Sequence, residues 1–365
     1  DRPPPVRTVA TRFAPDPERL REFAAVLASS RSPVLVFGAA VDRAGGWPAA
    51  VALAERLAAP VWSAPAPERA AFPEDHPHFQ GVLPFAIGPL ADRLRGHDTV
   101  LVVGAPVFRY YPHVPGDTLP ADTRLLHVTD DPDEAARAPV GDSLLGDAGL
   151  TLAALVDLVP VAAGRPAPAG PVDPPPPPEG LPLAADALFA VLARHWPTDG
   201  VLVQESPSSL PALRRRLRTT RPGSYFTMAS GGLGYGLPAA VGIALAERDT
   251  GRGRPVIAVI GDGSVHYSVQ ALWTAARLRL PLVVVVPVNQ QYAILKSFAD
   301  FKHTPGVPGL DLPGIDLAAV ARGYGCHTEV VETPDQVGDA LTAGLRADRP
   351  TVLPVPVSTD VPRLL

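Results

Sequence analysis

The chain has 365 residues, of which 46% are hydrophobic and 19% are charged, and this length suits two domains with separate cores. The formal net charge of −5 and the pI near 6.0 argue against a nucleic-acid partner, because phosphate backbones bind to basic surfaces. The single cysteine, Cys326, excludes an internal disulfide and a thiolate metal cage, and it fits the reducing cytoplasm. No apolar run reaches the roughly 20 residues that a membrane-spanning helix needs, so we expect no membrane partner.

The first part of the chain alternates short apolar runs with helical patterns. Apolar runs that lead into Gly-Ala turns occupy positions 32–41 and 98–107, and a third run, at 124–131, ends in acidic residues. Helical patterns occupy positions 19–28 and 48–57. Because strands that alternate with helices form βαβ units, this part of the chain predicts a doubly wound parallel sheet.

A proline-rich stretch then divides the chain. Five consecutive prolines at positions 174–178 cannot enter a helix interior or a central strand, and they favour an extended linker. We therefore predict a first α/β domain at positions 1–162, a linker at 163–182 and a second domain at 183–365.

The same alternation returns after the linker. Four apolar runs predict strands, at positions 200–205, 255–263, 280–289 and 350–357. Helical patterns accompany them, at positions 238–247, 268–277 and 334–347. Because each strand run is apolar throughout, both faces of the sheet should be covered. The predicted fold class is therefore α/β, with two doubly wound, Rossmann-like domains joined by the linker.

Polar residues follow two neighbouring strands of the second domain. Gly261, Asp262 and Gly263 come directly after one apolar run, and Asn289 ends the next. A lone Gly-Asp-Gly is usually only a turn, but a complete βαβ unit brings both polar residues to one edge of the sheet. A carboxylate, an amide oxygen and a backbone carbonyl, the last near Gln291, suit Mg²⁺. The glycine turn and the start of the following helix suit a phosphate.

This stretch resembles the cofactor motif of thiamine diphosphate enzymes, which begins with GDG and ends near an asparagine pair. The wider chain resembles the benzoylformate decarboxylase-like members of that family along almost its whole length. The resembling stretches are at positions 53–62, 96–110, 131–142, 222–247, 256–264, 271–276 and 307–325. The resemblance implies that residues 1–162 form a central domain and that residues 183–365 form a domain that binds diphosphate and Mg²⁺.

The resemblance also implies roles for individual residues of the second domain. It places Mg²⁺ on Asp262, on the side chain of Asn289 and on the main-chain oxygen of Gln291. The other cofactor-binding positions are Gly231 at the aminopyrimidine, Leu233 at the bend of the cofactor, Gly263 and Ser264 at the diphosphate, and Tyr292. Ile294 and Phe298 match positions that line the substrate pocket, although both could equally be packing residues of a helix.

Several positions depart from the family pattern. Val288 replaces the first asparagine of the usual pair, and Pro207 replaces a small hydroxyl residue near the cofactor. Tyr111 stands where relatives have a functional histidine. His113, two residues later, is a candidate for that catalytic role, although a loop histidine is more often a surface residue. His266 follows the glycine turn, and its simplest interpretation is a hydrogen-bonded polar residue in the first turn of a helix.

The family's cofactor-activating glutamate lies in a pyrimidine-binding domain, which we expect to be absent from this chain. Glu205 ends a strand of the second domain, and the resemblance does not assign the activating role to it. The implied function therefore belongs to a longer, homo-oligomeric parent protein. That function is the Mg²⁺- and thiamine diphosphate-dependent decarboxylation of a small aryl 2-oxo acid such as benzoylformate, which gives benzaldehyde and CO₂. The chain alone should be inactive.

Two alternatives remain open at this point. The first is an acetolactate synthase-like carboligase; some of these relatives hold FAD or ADP in the central domain, but neither 37–46 nor 103–111 forms a G-x-G-x-x-G pattern, so we expect no dinucleotide there. The second is a non-catalytic module that binds the cofactor or supports assembly.

Overall fold

The computed structural model describes residues 8–108 and 110–364, and the chain forms two compact units, Asp1–Pro171 and Val172–Leu365. The division falls within the proline-rich stretch, and positions 163–182 contain no helix and no strand. The beginning of this stretch is bound to the first unit, because the guanidinium of Arg165 donates to the main-chain oxygens of Leu57 and Ser30.

Within the described residues, the first unit contains one sheet of six parallel strands. These strands are β1 (Pro33–Phe37), β2 (Val61–Ser63), β3 (Phe79–Val82), β4 (Thr99–Val103), β5 (Arg124–Thr129) and β6 (Asp142–Leu145). Their order is β3-β2-β1-β4-β5-β6, so the strand order reverses between β1 and β4. Every residue of β1 and of β4 is buried, as expected for strands covered on both faces.

Helices cover this sheet. They are α1 (Pro17–Ser29), α2 (Ala39–Arg43), α3 (Trp47–Leu57), α4 (Ile87–Leu94), α5 (Pro132–Arg137) and α6 (Ala148–Leu158). The start of α1 follows from its sequence, because the side chain of Asp16 accepts the N–H groups of Glu18 and Arg19, and Pro17 occupies a position that needs no N–H donor. Leu90 and Leu94 of α4 pack into the same buried cluster as strand residues such as Val34.

The second unit repeats this plan, with a six-stranded parallel sheet in its described part. Its strands are β7 (Val201–Glu205), β8 (Tyr225–Thr227), β9 (Val256–Ile260), β10 (Leu282–Val288), β11 (His327–Thr328) and β12 (Thr351–Pro356). Their order is β11-β12-β10-β9-β7-β8, so the strand order reverses between β7 and β9. The four apolar runs of the second domain supply β7, β9, β10 and β12, and the α/β, doubly wound fold class is confirmed.

Helices again separate the strands. They are α7 (Ala185–Arg194), α8 (Leu210–Arg216), α9 (Gly236–Asp249), α10 (Asp262–Val265), α11 (Ala271–Arg277), α12 (Ala293–Phe301), α13 (Leu317–Gly323) and α14 (Pro334–Gly344). Side chains from α9, α11 and α13, among them Leu237, Leu272 and Leu317, share one buried cluster with the strands. Among the described residues of both units, no helix combines the length and the apolar character needed to cross a membrane.

The helix predicted at 268–277 begins later than expected. The chain first forms the single turn α10, and α11 begins only at Ala271. Between them, backbone N–H groups donate to the carbonyl three residues earlier, for example from Tyr267 to Ser264 and from Ala271 to Ser268. Such bonds tighten the chain into turns that do not continue a regular α-helix, which is why the apolar pattern alone placed the start wrongly.

Glu247 is a buried carboxylate that arginines hold near the end of α9. Its Oε1 lies 2.7 Å from a guanidinium nitrogen of Arg254 and 3.1 Å from one of Arg252. The hydrogen bond from Arg254 lowers the pKa of Glu247 most, and burial opposes that change. Because the pKa is lower in the folded chain, the group stabilises the fold above the usual glutamate range, and this stability is lost as the pH falls through the folded pKa.

The variant Glu247→Gln should test this ion-pair cluster. It removes the charge that both arginines contact and should lower the free energy of unfolding by about 2 kcal/mol at neutral pH. The free energy of unfolding should be measured by urea unfolding, followed by circular dichroism, from pH 7 down to about pH 3. The difference in this free energy between the variant and the wild type should shrink below about pH 4.

The exposed residue Glu332 provides the matched control. Glu332→Gln should change the free energy of unfolding by no more than about 0.5 kcal/mol. A difference between wild type and Glu247→Gln that stays constant over the whole pH range would contradict the assigned role of the Glu247 charge.

Candidate functional site

The polar residues that follow β7, β9 and β10 lie at one edge of the second sheet. β7 ends at Glu205, Asp262 follows β9, and Asn289 follows β10. β9 and β10 are parallel neighbours, with Val259 paired to Val285, so their ends reach the same edge. The strand order also reverses here, between β7 and β9, and open parallel sheets bind ligands at such points.

Asp262 is buried at the centre of this edge. One carboxylate oxygen accepts the N–H of Gly263 at 2.9 Å, and the other accepts the N–H of Gln290 at 2.7 Å. Burial raises the pKa of Asp262, and the N–H groups of Gly263, Gln290 and Asn289 oppose that rise. The carboxylate therefore links the turn after β9 directly to the loop after β10.

The loop after β10 is a constrained turn. Oδ1 of Asn289 accepts the N–H of Gln291 at 3.2 Å, and Gln290, between them, has a φ of +56°. Left-handed backbone costs a non-glycine residue about 1 kcal/mol, so other bonds must hold this conformation. One of them joins the main-chain oxygen of Gln290 to the N–H of Leu312 at 2.7 Å. The main-chain oxygen of Gln291 therefore belongs to a rigidly held backbone.

The side chain of Gln291 forms part of a network that the sequence reasoning missed. Nζ of Lys296 lies 2.6 Å from Oε1 of Gln291 and 2.6 Å from Oδ1 of Asp311. The amide nitrogen of Gln291 donates to the main-chain oxygen of Thr359. Lys296, one of the few lysines of the chain, follows the Asn-Gln-Gln turn and was the available signal for this network. Its partners come from segments that only the fold brings together.

Gly263 lies against the ring of Tyr292. A Cβ at position 263 would come within 2.4 Å of Cε1 of Tyr292, so the turn has room only for glycine. Tyr292 also hydrogen-bonds to Tyr267, and burial raises the pKa of Tyr292. Tyr267 in turn contacts the glycine loop before α9, because a Cβ at Gly234 would lie 3.2 Å from its Cβ. The two tyrosines thus connect three loops of the site, and no sequence motif indicates Tyr267.

Asp262 begins a single helical turn, α10, which is separate from the following helix, α11. Gly263 and Ser264 are buried in α10, which has four residues. Because so short a helix has little macrodipole, an anion here would depend on individual N–H groups of the turn.

The prediction that His266 is a hydrogen-bonded polar residue is wrong for one of its ring nitrogens. Nε2 of His266 and Oγ of Ser268 are buried without a hydrogen-bond partner in the described part of the chain. The hydrogen bonds of this tight segment run between backbone groups, which leaves these side-chain atoms unpaired. Buried polar atoms of this kind are costly, and a polar ligand would satisfy them.

The glycine loop before α9 contains the predicted residues Gly231 and Leu233. Gly231 is exposed with a φ of +77°, and Leu233 is half-buried. The loop is held by Glu205, whose carboxylate accepts the N–H of Gly234 at 2.7 Å and also that of Gly236. Burial raises the pKa of Glu205, and these N–H groups oppose the rise. A carboxylate at the end of the strand predicted at 200–205 was the available signal for this contact.

Ile294 and Phe298 lie four residues apart on α12, so they share one face of that helix. Both are half-buried. The short turn Pro207–Ser209 packs near the same helix, which places the departure at Pro207 beside it. The structure therefore puts both predicted pocket residues directly after the loop that contains Tyr292, on a face that is partly open.

His113 lies in the first unit, whereas the residues described above lie in the second. It is exposed, in the irregular segment between β4 and β5, and the peptide bond between Tyr111 and Pro112 is cis. Arg109, in the resembling stretch at 96–110, lies outside the described residues. In the described part of the first unit, no contact supports a catalytic role for His113.

The carboxyl edge of the first sheet is closed and acidic. The turns after β1 and β4 pack together, because a Cβ at Gly38 would lie 2.3 Å from the Cβ of Ala105. The remaining cavity of about 130 Å³ is lined by Arg43 and by the carboxylates of Glu68, Asp130, Asp131 and Glu134, among others. A pyrophosphate would meet more carboxylates than cations there, so this edge is a poor site for a dinucleotide.

The donor set in the second unit fits Mg²⁺ and a phosphate. The carboxylate oxygens of Asp262 accept the N–H groups of Gly263 and Gln290, and the four lone-pair sites of a carboxylate leave room for a metal ion as well. The amide oxygen of Asn289 and the main-chain oxygen of Gln291 are also hard ligands. The described residues contain no group of three or more His, Cys, Asp or Glu side chains that could hold a metal ion; the set proposed here contains only one carboxylate. The unpaired atoms of His266 and Ser268 are the buried polar groups that remain to be satisfied nearby.

Comparison with known protein families divides the chain in two. Residues 20–155 match the central domain of thiamine pyrophosphate enzymes. Residues 209–355 match the C-terminal TPP binding domain of thiamine pyrophosphate enzymes. The second match contains every residue that forms the site described above except Glu205, Pro207 and Thr359.

Individual proteins show the same similarity. The chain is 47% identical, over 98% of its length, to benzoylformate decarboxylase of Pseudomonas aeruginosa and covers 67% of that protein. The crystal structure of benzoylformate decarboxylase from Polynucleobacter necessarius matches with a TM-score of 0.96 at 42% identity, over 100% of this chain and 69% of that one. A 4-hydroxybenzoylformate decarboxylase from Rhodococcus jostii matches with a TM-score of 0.92 at 42% identity, over 98% of this chain and 67% of that one.

The chain spans about two thirds of the length of each of these proteins. Both of its units are covered by the family models, and the identities are high over almost all of its residues. The chain therefore belongs to the thiamine pyrophosphate enzyme family, as a relative of the benzoylformate decarboxylases.

Proposed function

We propose that the second unit binds Mg²⁺ and the diphosphate of thiamine diphosphate, and that the protein uses this cofactor to decarboxylate a 2-oxo acid. One observation carries the proposal: the buried Asp262 carboxylate accepts N–H groups from both the glycine turn and the loop after β10. This linkage gathers one carboxylate, the amide oxygen of Asn289 and the main-chain oxygen of Gln291. Such oxygens share the coordination of Mg²⁺ with phosphates in many proteins.

Different residues of this chain would bind the two ends of the cofactor. Asp262, Asn289 and Gln291 would hold Mg²⁺, and the turn at Gly263 and Ser264 would receive the diphosphate. When bound, thiamine diphosphate supplies an electron sink for the electron pair that is released as CO₂ leaves. Gly231, which is exposed, and Leu233, which is half-buried, would orient the other end of the cofactor. Tyr292, also half-buried, would contact the cofactor from its place against Gly263.

The proposed substrate is an aryl 2-oxo acid such as benzoylformate. Two relatives are benzoylformate decarboxylases, and a third is a 4-hydroxybenzoylformate decarboxylase. In this chain, Ile294 and Phe298 offer an apolar, partly open face beside Tyr292. An aromatic ring could pack on Phe298 with a gain of about 1 kcal/mol beyond simple burial.

Catalysis by the whole protein needs more than the residues described here. In the family that the chain resembles, the activating glutamate lies in a pyrimidine-binding domain, and we propose that a longer homo-oligomeric protein supplies it. The carboxylate of Glu205 already accepts the N–H groups of Gly234 and Gly236, so Glu205 does not replace the activating glutamate. The 365-residue chain alone should therefore release little benzaldehyde.

The variant Asp262→Ala tests the proposed metal site. Loss of groups that merely orient metal ligands weakens metal affinity by about 10- to 100-fold, so loss of a ligand should weaken Mg²⁺-dependent binding of thiamine diphosphate by about 100-fold or more. Isothermal titration calorimetry of the chain with thiamine diphosphate, with and without Mg²⁺, measures this effect.

An exposed aspartate on α14 serves as the control for that titration. Asp339→Ala should leave the Mg²⁺-dependent affinity within about twofold of the wild type, since surface changes cost little. If Asp262→Ala binds thiamine diphosphate as tightly as the wild type does, the assignment of Mg²⁺ to this edge is wrong.

The variant Phe298→Ala tests the proposed pocket in the product of the complete reading frame. Removing the ring should raise KM for benzoylformate by about tenfold and change KM for pyruvate much less, because an apolar contact of this size is worth about 1–3 kcal/mol. Release of benzaldehyde, acetaldehyde and acetolactate should be measured in parallel.

Leu295→Ala is the matched control, because Leu295 is exposed on another face of α12. It should leave both KM values unchanged. Formation of acetolactate without any aldehyde would favour a carboligase, and cofactor binding without any product would favour a non-catalytic module.

A further inference from the structure

Glu205 is the last residue of β7 and lies at the point where the strand order of the second sheet reverses. It is 1% exposed, and a buried carboxylate must be paired or hydrogen-bonded to be tolerated. The groups that oppose its desolvation are backbone N–H groups of Gly234, Gly236 and Tyr235, and none of them is a cationic side chain. The carboxylate of Glu205 is therefore stabilised by the backbone N–H groups of one short segment.

The backbone in question is the start of α9, a helix of 14 residues. Oε1 of Glu205 accepts the N–H of Gly234 at 2.7 Å, and Oε2 accepts the N–H of Gly236. A carboxylate at a helix N-terminus satisfies otherwise unpaired N–H groups and interacts favourably with the macrodipole. The N-terminus of α9 is thus occupied by a side chain of the protein, which leaves the turn at Gly263 as the place for a diphosphate.

Close packing adds to these hydrogen bonds. A Cβ at Gly236 would lie 2.9 Å from the Cβ of Glu205, so the helix start and the end of β7 touch. The main-chain oxygen of Glu205 accepts the N–H of Gly261 at 3.0 Å, directly before Asp262. One residue therefore connects the start of α9 to the strand end that presents the proposed metal ligand.

The opposite end of the same loop has few protein contacts. Gly231 and Gly232 are exposed, and a Cβ at Gly231 would meet no atom within 4 Å. Residues 231–236 thus form a loop that is tied down at its α9 end by Glu205 and open where Gly231 and Leu233 would face the cofactor. The conformation of the open end depends on how firmly the tied end is held.

We propose that Glu205 is a positioning residue that holds the 231–236 loop for the thiazolium and aminopyrimidine end of the cofactor, without contributing to the Mg²⁺ and diphosphate end. This inference rests on the proposed function, because it assumes that thiamine diphosphate is the ligand. It predicts that the two ends of the cofactor respond differently to a change at position 205.

The test compares two probes on the 365-residue chain with Mg²⁺: thiamine diphosphate and inorganic pyrophosphate. Glu205→Gln replaces one acceptor oxygen by a donor that faces an N–H group, and loss of a hydrogen bond to a charged group corresponds to about a tenfold or larger loss of affinity. We expect that loss for thiamine diphosphate and less than about a twofold change for pyrophosphate, measured by calorimetry. Glu205→Asp keeps the charge but is shorter, and it should give an intermediate loss.

Hydrogen–deuterium exchange provides a readout that needs no ligand. In Glu205→Gln, peptides that contain Gly234–Gly236 should exchange faster, whereas the second half of α9 should exchange at the wild-type rate. The matched control is Glu247→Gln. It removes a different buried carboxylate, on α9 itself, and lowers the stability of the fold. It should leave the ratio of the two affinities unchanged.

Several outcomes would overturn the inference. They are an equal loss of affinity for both probes, an unchanged affinity for both, or the same selective loss in Glu247→Gln. If the wild type binds pyrophosphate but not thiamine diphosphate, the proposed function fails, and exchange at 234–236 still decides whether Glu205 holds the loop. If Glu205→Gln does not fold, Glu205→Asp takes its place in every comparison.

Discussion

The second unit depends on a single electrostatic constraint: a carboxylate, Asp262, is buried where two parallel strands end. Its charge is tolerated because N–H groups from two separate loops point at it, and burial still raises its pKa. The turn after β9 and the loop after β10 must therefore keep their backbone conformations together. Gln290 holds a positive φ in that loop, and Gly263 lies where no side chain fits. A divalent cation would stabilise the buried charge that the fold otherwise has to carry.

The site separates two carboxylates that could otherwise compete for the same role. Glu205 and Asp262 end neighbouring strands, β7 and β9, and both are buried. Glu205 accepts N–H groups at the start of a long helix, where the macrodipole suits a negative charge. Asp262 instead begins a one-turn helix, and its carboxylate accepts an N–H group of the loop after β10. Because that loop also contains Asn289 and Gln291, we propose Asp262, and not Glu205, as the ligand of the cation.

Much of the fold was predictable because the central strands β1, β4, β9 and β10 are almost entirely apolar, a pattern typical of strands covered on both faces. Short strands such as β2, β8 and β11 were not predicted, since two or three residues are too few to show a period. The late start of α11 was missed because bonds from each N–H to the third residue before it do not depend on side-chain pattern. In these cases the backbone geometry, and not the composition, decides the structure.

The candidate site shows the same division between local and distant information. Asp262 and Asn289 could be placed at one edge because the βαβ rule fixes where consecutive strands end. The contact of Tyr292 with Gly263, its bond to Tyr267 and the network around Lys296 could not be predicted, because each joins loops that are distant in sequence. His266 shows the limit of a local argument, since a polar residue in a first turn is usually satisfied, and here one ring nitrogen is not.

The two ends of the proposed cofactor site differ in how far the chain has ordered them in advance. Asp262, Ser264 and Asn289 are buried and hydrogen-bonded within the protein, whereas Gly231 and Gly232 are exposed. A site that is ordered before binding loses less conformational entropy when its ligand arrives. The affinity of this chain should therefore reside mainly in the Mg²⁺ and diphosphate end. The reacting end would depend on the 231–236 loop, which Glu205 holds at its α9 end through the N–H groups of Gly234 and Gly236.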